Sequence, residues 1–446
     1  MRDKSILFIL VCLFASCALP PPPLREMPVV RVGLDEGLDV VHFELSGPFY
    51  LVSKTDSRRF PAQTAGNWSI QVSHGAASAA LLFTAPDAQQ WRCDAPVRIA
   101  GCQVTCKNMR VGKGYHWEHV EDRTYEGDIE VQIDDDGKIR IINVVPLETY
   151  LEGVLPGEMS PSFPLEALKA QAIAARTFLL YNFGRVHRGE NYDVCDDVHC
   201  QVYVGAAETS EQILKALSGT RGLVLALHDE LCLTPYSAVC GGHTEQAENV
   251  WDGSGRTYLQ GTFDHPASAS MQSYDLSQEQ NVRQWIESRP KVFCNIRLAG
   301  NPRFAAYSEN YFRWERSISR QDLEKAIAVK TGRTIGSLLD IRPVRRGVSG
   351  RLMEVMVCGT EDTLTISKEL NIRTAFSANA LFSACFVVEK KMMQDSLAGE
   401  FLFKGAGWGH GVGMCQIGAA MMALGGRTCK EILGHYYHGT TVKAVY

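Results

Sequence analysis

The sequence has no excess of positive charge. Its 45 lysine and arginine residues and 50 aspartate and glutamate residues leave a formal net charge of −5 at pH 7. A chain without a positive field does not gather phosphates, so we exclude nucleic acid as its partner. The sequence also lacks a fixed-period repeat and any low-complexity tract beyond one run of prolines. Because 45% of the residues are hydrophobic and 21% are charged, the composition indicates a folded globular protein and excludes a mainly disordered one.

Apolar runs long enough to span a bilayer are also missing. The run at residues 6–14 is too short for a mature transmembrane helix and follows a short charged start, which is typical of an export signal. It ends in Phe14-Ala15-Ser16-Cys17, which resembles the cleavage box of bacterial lipoproteins, although Phe14 replaces the usual leucine and plain cleavage is the alternative. We expect an export signal at residues 1–17, a proline-rich spacer at 18–29, and a body in the periplasm or cell envelope whose membrane anchor, if it has one, is a lipid on Cys17.

The cysteine content is too low for a disulfide scaffold. Of the fourteen cysteines, Cys12 would leave with the signal and Cys17 would carry lipid, and the remainder is spread over about 420 residues. Cys93, Cys102 and Cys106 lie close in sequence and could pair or bind a metal, and we assign them no partner.

The spacing of hydrophobic residues predicts both strands and helices, and therefore an α+β fold. Two alternating runs, Ile129–Ile133 and Ile139–Ile142, flank an Asp-Gly turn and predict a β-hairpin. From Leu147 the apolar residues recur every four positions, which predicts a helix that ends at Pro156-Gly157. A second helix is predicted to begin at Pro164, since proline suits a first helical position.

The second half of the chain carries a separate pattern. A helix is predicted at Arg320–Thr331, and a Gly- and Ser-containing turn at Gly347–Gly350 separates short apolar runs. We therefore expect a single α+β domain over residues 30–446, built as a strand-rich N-terminal lobe (30–145), a helical catalytic core (146–262), an inserted α+β lobe (263–400), and a Gly/Trp/His segment with a C-terminal helix that completes the core (401–446).

Glu158 is the first candidate for chemistry. It follows the predicted helix break and has Leu155, Met159 and Phe163 around it. A carboxyl in a partly apolar cleft has a raised pKa and can act as a general acid near neutral pH. The alternative is a solvated surface glutamate in a loop. On the helix that follows, Lys169 and Arg176 are two turns apart and share a face that could bind an anionic or hydroxyl-rich ligand, or could simply be solvated.

Two further groups of residues attract attention. His187, Cys195, His199 and Cys200 supply two thiolates and two imidazoles, a full tetrahedral shell of the kind that structural zinc prefers, with a disulfide or free thiols as the alternative. The Gly/His segments 240–245 and 405–414 contain closely spaced glycines and Trp408. They could press the backbone against a ligand and offer an aromatic face to a sugar, or could form a tight turn around a core tryptophan. Neither segment fits a phosphate loop or a dinucleotide fingerprint.

Taken together, these segments resemble the SpoIID/LytB family of peptidoglycan-acting proteins. The likeness runs from about Val30 to Tyr446. The matching stretches, in chain order, are residues 143–151, 157–159, 167–172 with 175–177, 195–203, 241–244 with Trp251, 407–416, and 431–433 with 436–437 and Gly439.

The resemblance implies a lytic transglycosylase that cleaves the β-1,4 bond between N-acetylmuramic acid and N-acetylglucosamine in peptidoglycan glycan strands, preferably strands without stem peptides. It implies that Glu158 is the catalytic acid and base, and that the four Cys and His residues bind structural zinc; it implies no organic cofactor. It also implies glycan contacts from seven positions: Lys169, Arg176, Gln201, Tyr203, His243, Trp408 and His410.

Two other functions are weighed against this one. The main rival, implied by the LytB-type relatives, is a non-catalytic peptidoglycan-binding enhancer of an N-acetylmuramoyl-L-alanine amidase, with that amidase as partner. Such a binder would not require Glu158 at the motif position. A metallohydrolase is disfavoured, because four protein ligands leave zinc no position for water.

Overall fold

The computed structural model describes residues 26–53, 56–74, 79–115, 117–206, 210–253, 255–265, 274–392 and 398–446. Strands form most of its N-terminal part, and helices and strands are mixed in the remainder. The expected export signal, Cys17 and most of the spacer lie outside these residues. Over the described ranges, no helix has both the length and the apolar character needed to cross a membrane. The fold is mixed α+β and rich in strand, as the sequence predicts.

Strands dominate up to residue 146, where short apolar runs alternate with turns. The strands are β1 (Val29–Leu38), β2 (Val40–Leu45), β3 (Phe49–Val52), β4 (Ser57–Phe60), β5 (Gly66–His74), β6 (Ala79–Thr84), β7 (Gln90–Cys93), β8 (Val97–Ala100), β9 (Val104–Val111), β10 (His119–Tyr125), β11 (Asp128–Ile133) and β12 (Ile139–Pro146), with a 3₁₀ turn at Ala62–Thr64. They form two sheets, in the orders β1-β12-β11-β8-β3-β4 and β10-β9-β2-β5-β6-β7. The predicted hairpin is confirmed, because β11 and β12 pair antiparallel with Ile133 opposite Ile139.

Helices follow the first sheets. The elements are α1 (Leu147–Glu158), α2 (Leu165–Asn182), β13 (Val194–Cys195), α3 (Glu211–Ser218), β14 (Leu223–Leu227), β15 (Glu230–Leu231), β16 (Tyr236–Ser237) and α4 (Ala247–Val250). The prediction that Pro156-Gly157 ends the first helix is wrong, because α1 continues through both residues to Glu158. A proline this close to the C-terminal end removes only one backbone hydrogen bond. Helix α2 begins one residue after Pro164, which serves as its N-cap.

The inserted part of the chain has its own hydrophobic core. Its elements are α5 (Glu279–Ser288), α6 (Glu309–Phe312), β17 (Trp314–Ser319), α7 (Arg320–Thr331), β18 (Leu338–Arg346), β19 (Leu352–Gly359), β20 (Thr363–Ser367), α8 (Glu369–Ala375), β21 (Phe386–Met392) and β22 (Ala398–Gly405), with 3₁₀ turns at Ile296–Ala299 and Arg303–Ser308. The predicted helix at Arg320–Thr331 and the turn between β18 and β19 are both present. The second core runs from Trp314 to Phe403, whereas Val282, Cys294 and Phe312 pack into the first core. The inserted stretch of chain therefore contributes side chains to both cores.

The C-terminal segment returns to the main body. It contains β23 (Met414–Cys415), α9 (Gln416–Leu424), α10 (Cys429–Tyr436) and β24 (Thr441–Ala444). Strand β23 pairs in parallel with β16, which places Met414 opposite Tyr236. Strand β24 pairs antiparallel with β14. These pairings bring the tail against the helices that follow the N-terminal sheets.

A buried ion pair joins the two long helices. Arg176 on α2 has no exposed side-chain surface, and its Nε and Nη2 atoms donate to Glu148 Oε1 and Oε2 on α1 at 2.8 and 2.7 Å. Glu148 also accepts from the Gly222 N–H at 3.3 Å and from the Tyr446 hydroxyl. Burial acts to raise the pKa of Glu148, but the hydrogen bonds and charge of Arg176 outweigh it and lower that pKa. The pair ties the first turn of α1 to the end of the chain.

Glu148→Gln is expected to lower the free energy of unfolding by about 3–5 kcal/mol, since it leaves the Arg176 guanidinium buried without a counter-charge. Urea denaturation of the purified protein measures the change. The control is Glu211→Gln, which removes an exposed i,i+4 pair with Lys215 and should change the same quantity by less than about 1 kcal/mol. Equal denaturation midpoints for wild type and Glu148→Gln would contradict this account.

Candidate functional site

Glu158 is the last residue of α1 and lies where the helix meets the segment after Cys200. A side chain at Gly157 would place its Cβ 2.8 Å from the Val202 carbonyl oxygen, so only glycine allows this close approach. The Val202 N–H donates to Glu158 Oε1 at 2.9 Å. The sequence places Glu158 after a helix break; the structure places it on the helix, with its direction set by the final turn.

Three neutral groups from separate parts of the chain donate to the Glu158 carboxyl. Besides Val202, the Gln416 amide donates to Oε2 at 3.2 Å, and the Tyr236 phenol is the third donor. Gln201 supports Tyr236 by donating its Nε2 to the phenol oxygen at 2.8 Å. The carboxyl is therefore held by the C-terminal tail, β16 and the segment after Cys200, rather than pointing into bulk solvent.

The surroundings of Glu158 favour its protonated form. Burial raises the pKa of Glu158, and the three hydrogen bonds, which favour the ionised carboxylate, oppose that effect without cancelling it. Glu148, ten residues earlier on the same helix, has the opposite shift because Arg176 faces it. A carboxyl that keeps its proton at higher pH than an ordinary glutamate can donate it to a substrate.

The four predicted metal ligands come together beside this site. The ligand atoms of His187, Cys195, His199 and Cys200 all lie within 4.8 Å of one another. His187 Nε2 is 3.2 Å from Cys200 Sγ, and His199 Nδ1 is 3.5 and 3.7 Å from the sulfurs of Cys200 and Cys195. Zinc bonds of about 2.0–2.3 Å in a tetrahedron separate neighbouring ligand atoms by about 3.3–3.8 Å, so the donor set and its spacing fit that ion.

Four of the seven predicted glycan contacts are buried and make internal bonds instead. Arg176 binds Glu148, Gln201 binds Tyr236, and the Tyr203 hydroxyl donates to Asn143 Oδ1 at 2.7 Å. His243 packs on Phe263 at 4.2 Å between ring centroids, and its Nδ1 bonds to the Thr244 carbonyl. Direct contact of these four residues with glycan therefore stays a prediction; in this structure they bond to other parts of the protein.

The other three predicted contacts are partly exposed. Lys169 pairs with Glu166 at 2.7 Å and remains a prediction. Trp408 stacks on Tyr311 at 4.2 Å, and His410 packs against the exposed ring of Trp251 at 4.8 Å. Burial lowers the pKa of His410 to about 3, with Arg351 and Arg373 adding to the effect, so this imidazole is neutral.

The closely spaced glycines of residues 405–413 allow close contact with a buried arginine and with backbone carbonyls. A Cβ at Gly411 would lie 2.2 Å from the Arg351 guanidinium, and one at Gly407 would lie 2.7 Å from the Val239 carbonyl. Arg351 is buried and donates to the carbonyls of Cys240 and Gly409. The segment thus packs against the backbone at Val239 and against Arg351 of the inserted lobe, and Trp408 is partly buried.

Sequence analysis missed two residues that touch the acid. Gln416 is the last residue of the motif stretch 407–416 but is not among the predicted site residues. Its place in that motif is the signal that could have identified it. Tyr236 carries no local signal, because it reaches the site only through the pairing of β16 with β23. Cys93, Cys102 and Cys106, which lie close to one another in sequence, are free thiols.

Two family models and several known proteins match this chain. Residues 135–227 match the family model described as Stage II sporulation protein (SpoIID), and residues 245–413 match a domain of unknown function, DUF8618. An uncharacterized protein of Brachyspira hyodysenteriae is 30% identical over 302 residues, which cover 68% of each chain. The Stage II sporulation protein D of Bacillus subtilis is 28% identical over 67% of this chain and 74% of its own length.

The Amidase enhancer of Bacillus subtilis is 28% identical over 66% of this chain, and the match spans only 40% of that longer protein. The SpoIID match covers α1, α2 and the Cys/His cluster. The chain belongs to the SpoIID/LytB family, whose relatives point to a role connected with the cell wall.

Proposed function

We propose that the protein is a lytic transglycosylase that cleaves the β-1,4 bond between N-acetylmuramic acid and N-acetylglucosamine in peptidoglycan strands. The observation that carries the proposal is a partly buried carboxyl, Glu158, whose pKa is raised and whose three hydrogen-bond donors are all neutral. Such a group keeps its proton to higher pH than an ordinary glutamate does, and can deliver it to a glycosidic oxygen. The family membership supplies the substrate class.

One carboxyl is enough for the chemistry. Protonated Glu158 gives its proton to the glycosidic oxygen as the bond from that oxygen to the anomeric carbon breaks. The ionised carboxylate then takes the proton of the muramoyl C6 hydroxyl, whose oxygen bonds to the anomeric carbon and closes a 1,6-anhydro ring. Water is not consumed, and Glu158 ends in its starting protonation state.

One aromatic group in the inserted stretch has a side chain that suits a glycan. Tyr307 is 44% exposed and contacts Tyr311, which stacks on Trp408. Sugar rings pack on exposed aromatic faces, so we propose that Tyr307 contacts the strand.

Glu158→Gln is expected to lower the release of 1,6-anhydro products from peptide-free glycan strands by at least about 10²-fold, because the amide cannot donate and recover the proton. Mass spectrometry of the products measures the effect and separates anhydro ends from hydrolysed ends, which differ by one water. Glu152→Gln, a second carboxyl on α1, is the matched control and should keep wild-type release.

The Glu158→Gln variant should be at least as stable as wild type at neutral pH, since it removes a carboxylate whose ionised form is disfavoured by burial. Undiminished anhydro release from the folded variant would overturn the catalytic role. Absence of anhydro release from wild type itself would favour the second candidate, a non-catalytic enhancer of an amidase, which the name of the Bacillus subtilis relative suggests.

The pH profile tests the proton donor itself. The acid is active when protonated, so cleavage should be present below its raised pKa and be lost as pH rises through that pKa. Tyr236→Phe removes one donor that favours the ionised form, and should therefore shift the alkaline limb of kcat/KM upward by about 0.5–1 pH unit. Tyr50→Phe, on the distant β3, should leave the limb in place; a downward shift in Tyr236→Phe would contradict the assignment.

We also propose that His187, Cys195, His199 and Cys200 hold a structural zinc ion. The ion would fix the backbone after Cys200, from which Gln201 supports Tyr236 and Val202 bonds Glu158. It leaves no open position and takes no part in the proton transfers. In keeping with the expected export signal, we place the protein in the cell envelope, with peptidoglycan and a cell-wall amidase as partners.

Cys200→Ser is expected to lose about one zinc equivalent and to unfold at a lower temperature, because zinc binding to a preformed four-ligand site adds to folding free energy. Elemental analysis and thermal denaturation measure the two effects. Cys232→Ser, a buried cysteine outside the cluster, is the control for a lost thiol. Unchanged zinc content in Cys200→Ser would remove the site.

A further inference from the structure

A second group of buried metal-ligating side chains includes Cys415, which directly precedes the Gln416 that bonds to Glu158. Cys240, Asp264, Cys294 and Cys415 each offer one ligand atom, and these atoms all lie within 4.8 Å of one another. The four residues come from four separate segments, two in the inserted stretch of chain and two beside β16 and β23. Each of them is at most 2% exposed.

The distances suit a single ion. Cys240 Sγ is 3.6 Å from Cys294 Sγ and 3.3 Å from Asp264 Oδ2. Both values match the edges of a tetrahedron built from zinc bonds to sulfur and oxygen, about 3.3–3.8 Å. A disulfide would use only two of the three thiols and would leave the third buried beside the Asp264 carboxyl.

The surroundings are built around charged ligands. Cys415 Sγ accepts from the N–H groups of Cys240 and Gly418 at 3.2 and 3.3 Å. Asp264 Oδ1 accepts from the Tyr436 hydroxyl at 2.6 Å and faces His435 Nε2 at 3.7 Å. Hydrogen bonds of this kind orient ligands and stabilise thiolate and carboxylate forms in metal sites.

Gly418 gives a second observation, because its lack of a side chain leaves room for the Asp264 carboxyl. A Cβ at this position would lie 2.7 Å from Asp264 Oδ2, so glycine allows helix α9 to pass directly over the carboxylate. A fully buried carboxylate among three thiols is costly unless a cation balances its charge.

We propose that Cys240, Asp264, Cys294 and Cys415 bind a second structural zinc ion. Three sulfur ligands and one oxygen ligand in a small tetrahedral site favour zinc over magnesium or calcium, which prefer oxygen alone. Four protein ligands close the shell, so the ion has a structural role.

The second ion would hold the tail against Glu158. Cys415 is the N-cap of α9, and the next residue, Gln416, donates to Glu158 Oε2. The first cluster has the same relation to the acid, since Cys200 precedes Gln201 in the network of Tyr236. Each zinc would thus fix the backbone directly before one of the two glutamines, Gln201 and Gln416, of the Glu158 network.

The test is zinc content, which does not depend on glycan cleavage. We expect about two zinc ions per chain in wild type that has been loaded with zinc and desalted, and about one in each of Cys294→Ser and Cys200→Ser. Cys232→Ser, which lies outside both clusters, should keep two. Wild type that binds a single zinc, lost in Cys200→Ser, would overturn the second site and leave the first intact.

Cobalt substitution covers the case in which Cys294→Ser does not fold. The Cys200→Ser protein, loaded with Co²⁺, should retain the sulfur-to-cobalt absorption of a tetrahedral thiolate site, since three thiolates remain in the second cluster. Absence of that absorption, or an intact mass lower by one pair of hydrogens that marks a Cys240–Cys294 disulfide, would refute the proposal.

Discussion

The arrangement of the site depends on the burial of one carboxyl among neutral donors. Glu148 and Glu158 lie on the same helix, yet Arg176 lowers the pKa of the first, whereas burial raises the pKa of the second. The first therefore serves as a permanent anion that joins α1, α2 and the chain end. The second is free to exchange a proton, because its partners are an amide, a phenol and a backbone N–H.

Long-range contacts hold that environment together. Gln416 reaches Glu158 across 258 positions of sequence, and Tyr236 is placed by the pairing of β16 with β23. Two clusters of metal-ligating side chains adjoin this network in sequence. Cys200 of the first cluster directly precedes Gln201, and Cys415 of the second directly precedes Gln416. Several segments that are distant in sequence bond to the same carboxyl. Together they can position it more rigidly than one helix end could, since a helix end alone frays.

Buried charges link the inserted lobe to the same core. Arg351, from the lobe, lies in the space that the glycines around Gly411 leave open, and Glu245 accepts hydrogen bonds from the Ser349 N–H and hydroxyl. Arg351 also donates to the Ser349 hydroxyl, so the two charges share a partner. The glycine-rich tail therefore packs against Arg351 of the inserted lobe. Its position beside Glu158 depends on a part of the chain that has a separate hydrophobic core.

Periodicity alone determined the local elements: the hairpin of β11 and β12, helix α7 and the turn at Gly347–Gly350 follow from the apolar spacing and the turn residues, because backbone preferences act over a few neighbours. The motif residues also pointed to Glu158 and to the four Cys and His residues, whose side chains the structure brings together. Only the tertiary structure decided that α1 runs through Pro156, that Arg176, Gln201, Tyr203 and His243 are internal, and that Tyr236 and Gln416 hold the acid. Burial and partners at these positions are set by segments that meet through distant strand pairing, and no local pattern in the chain encodes which of them will meet.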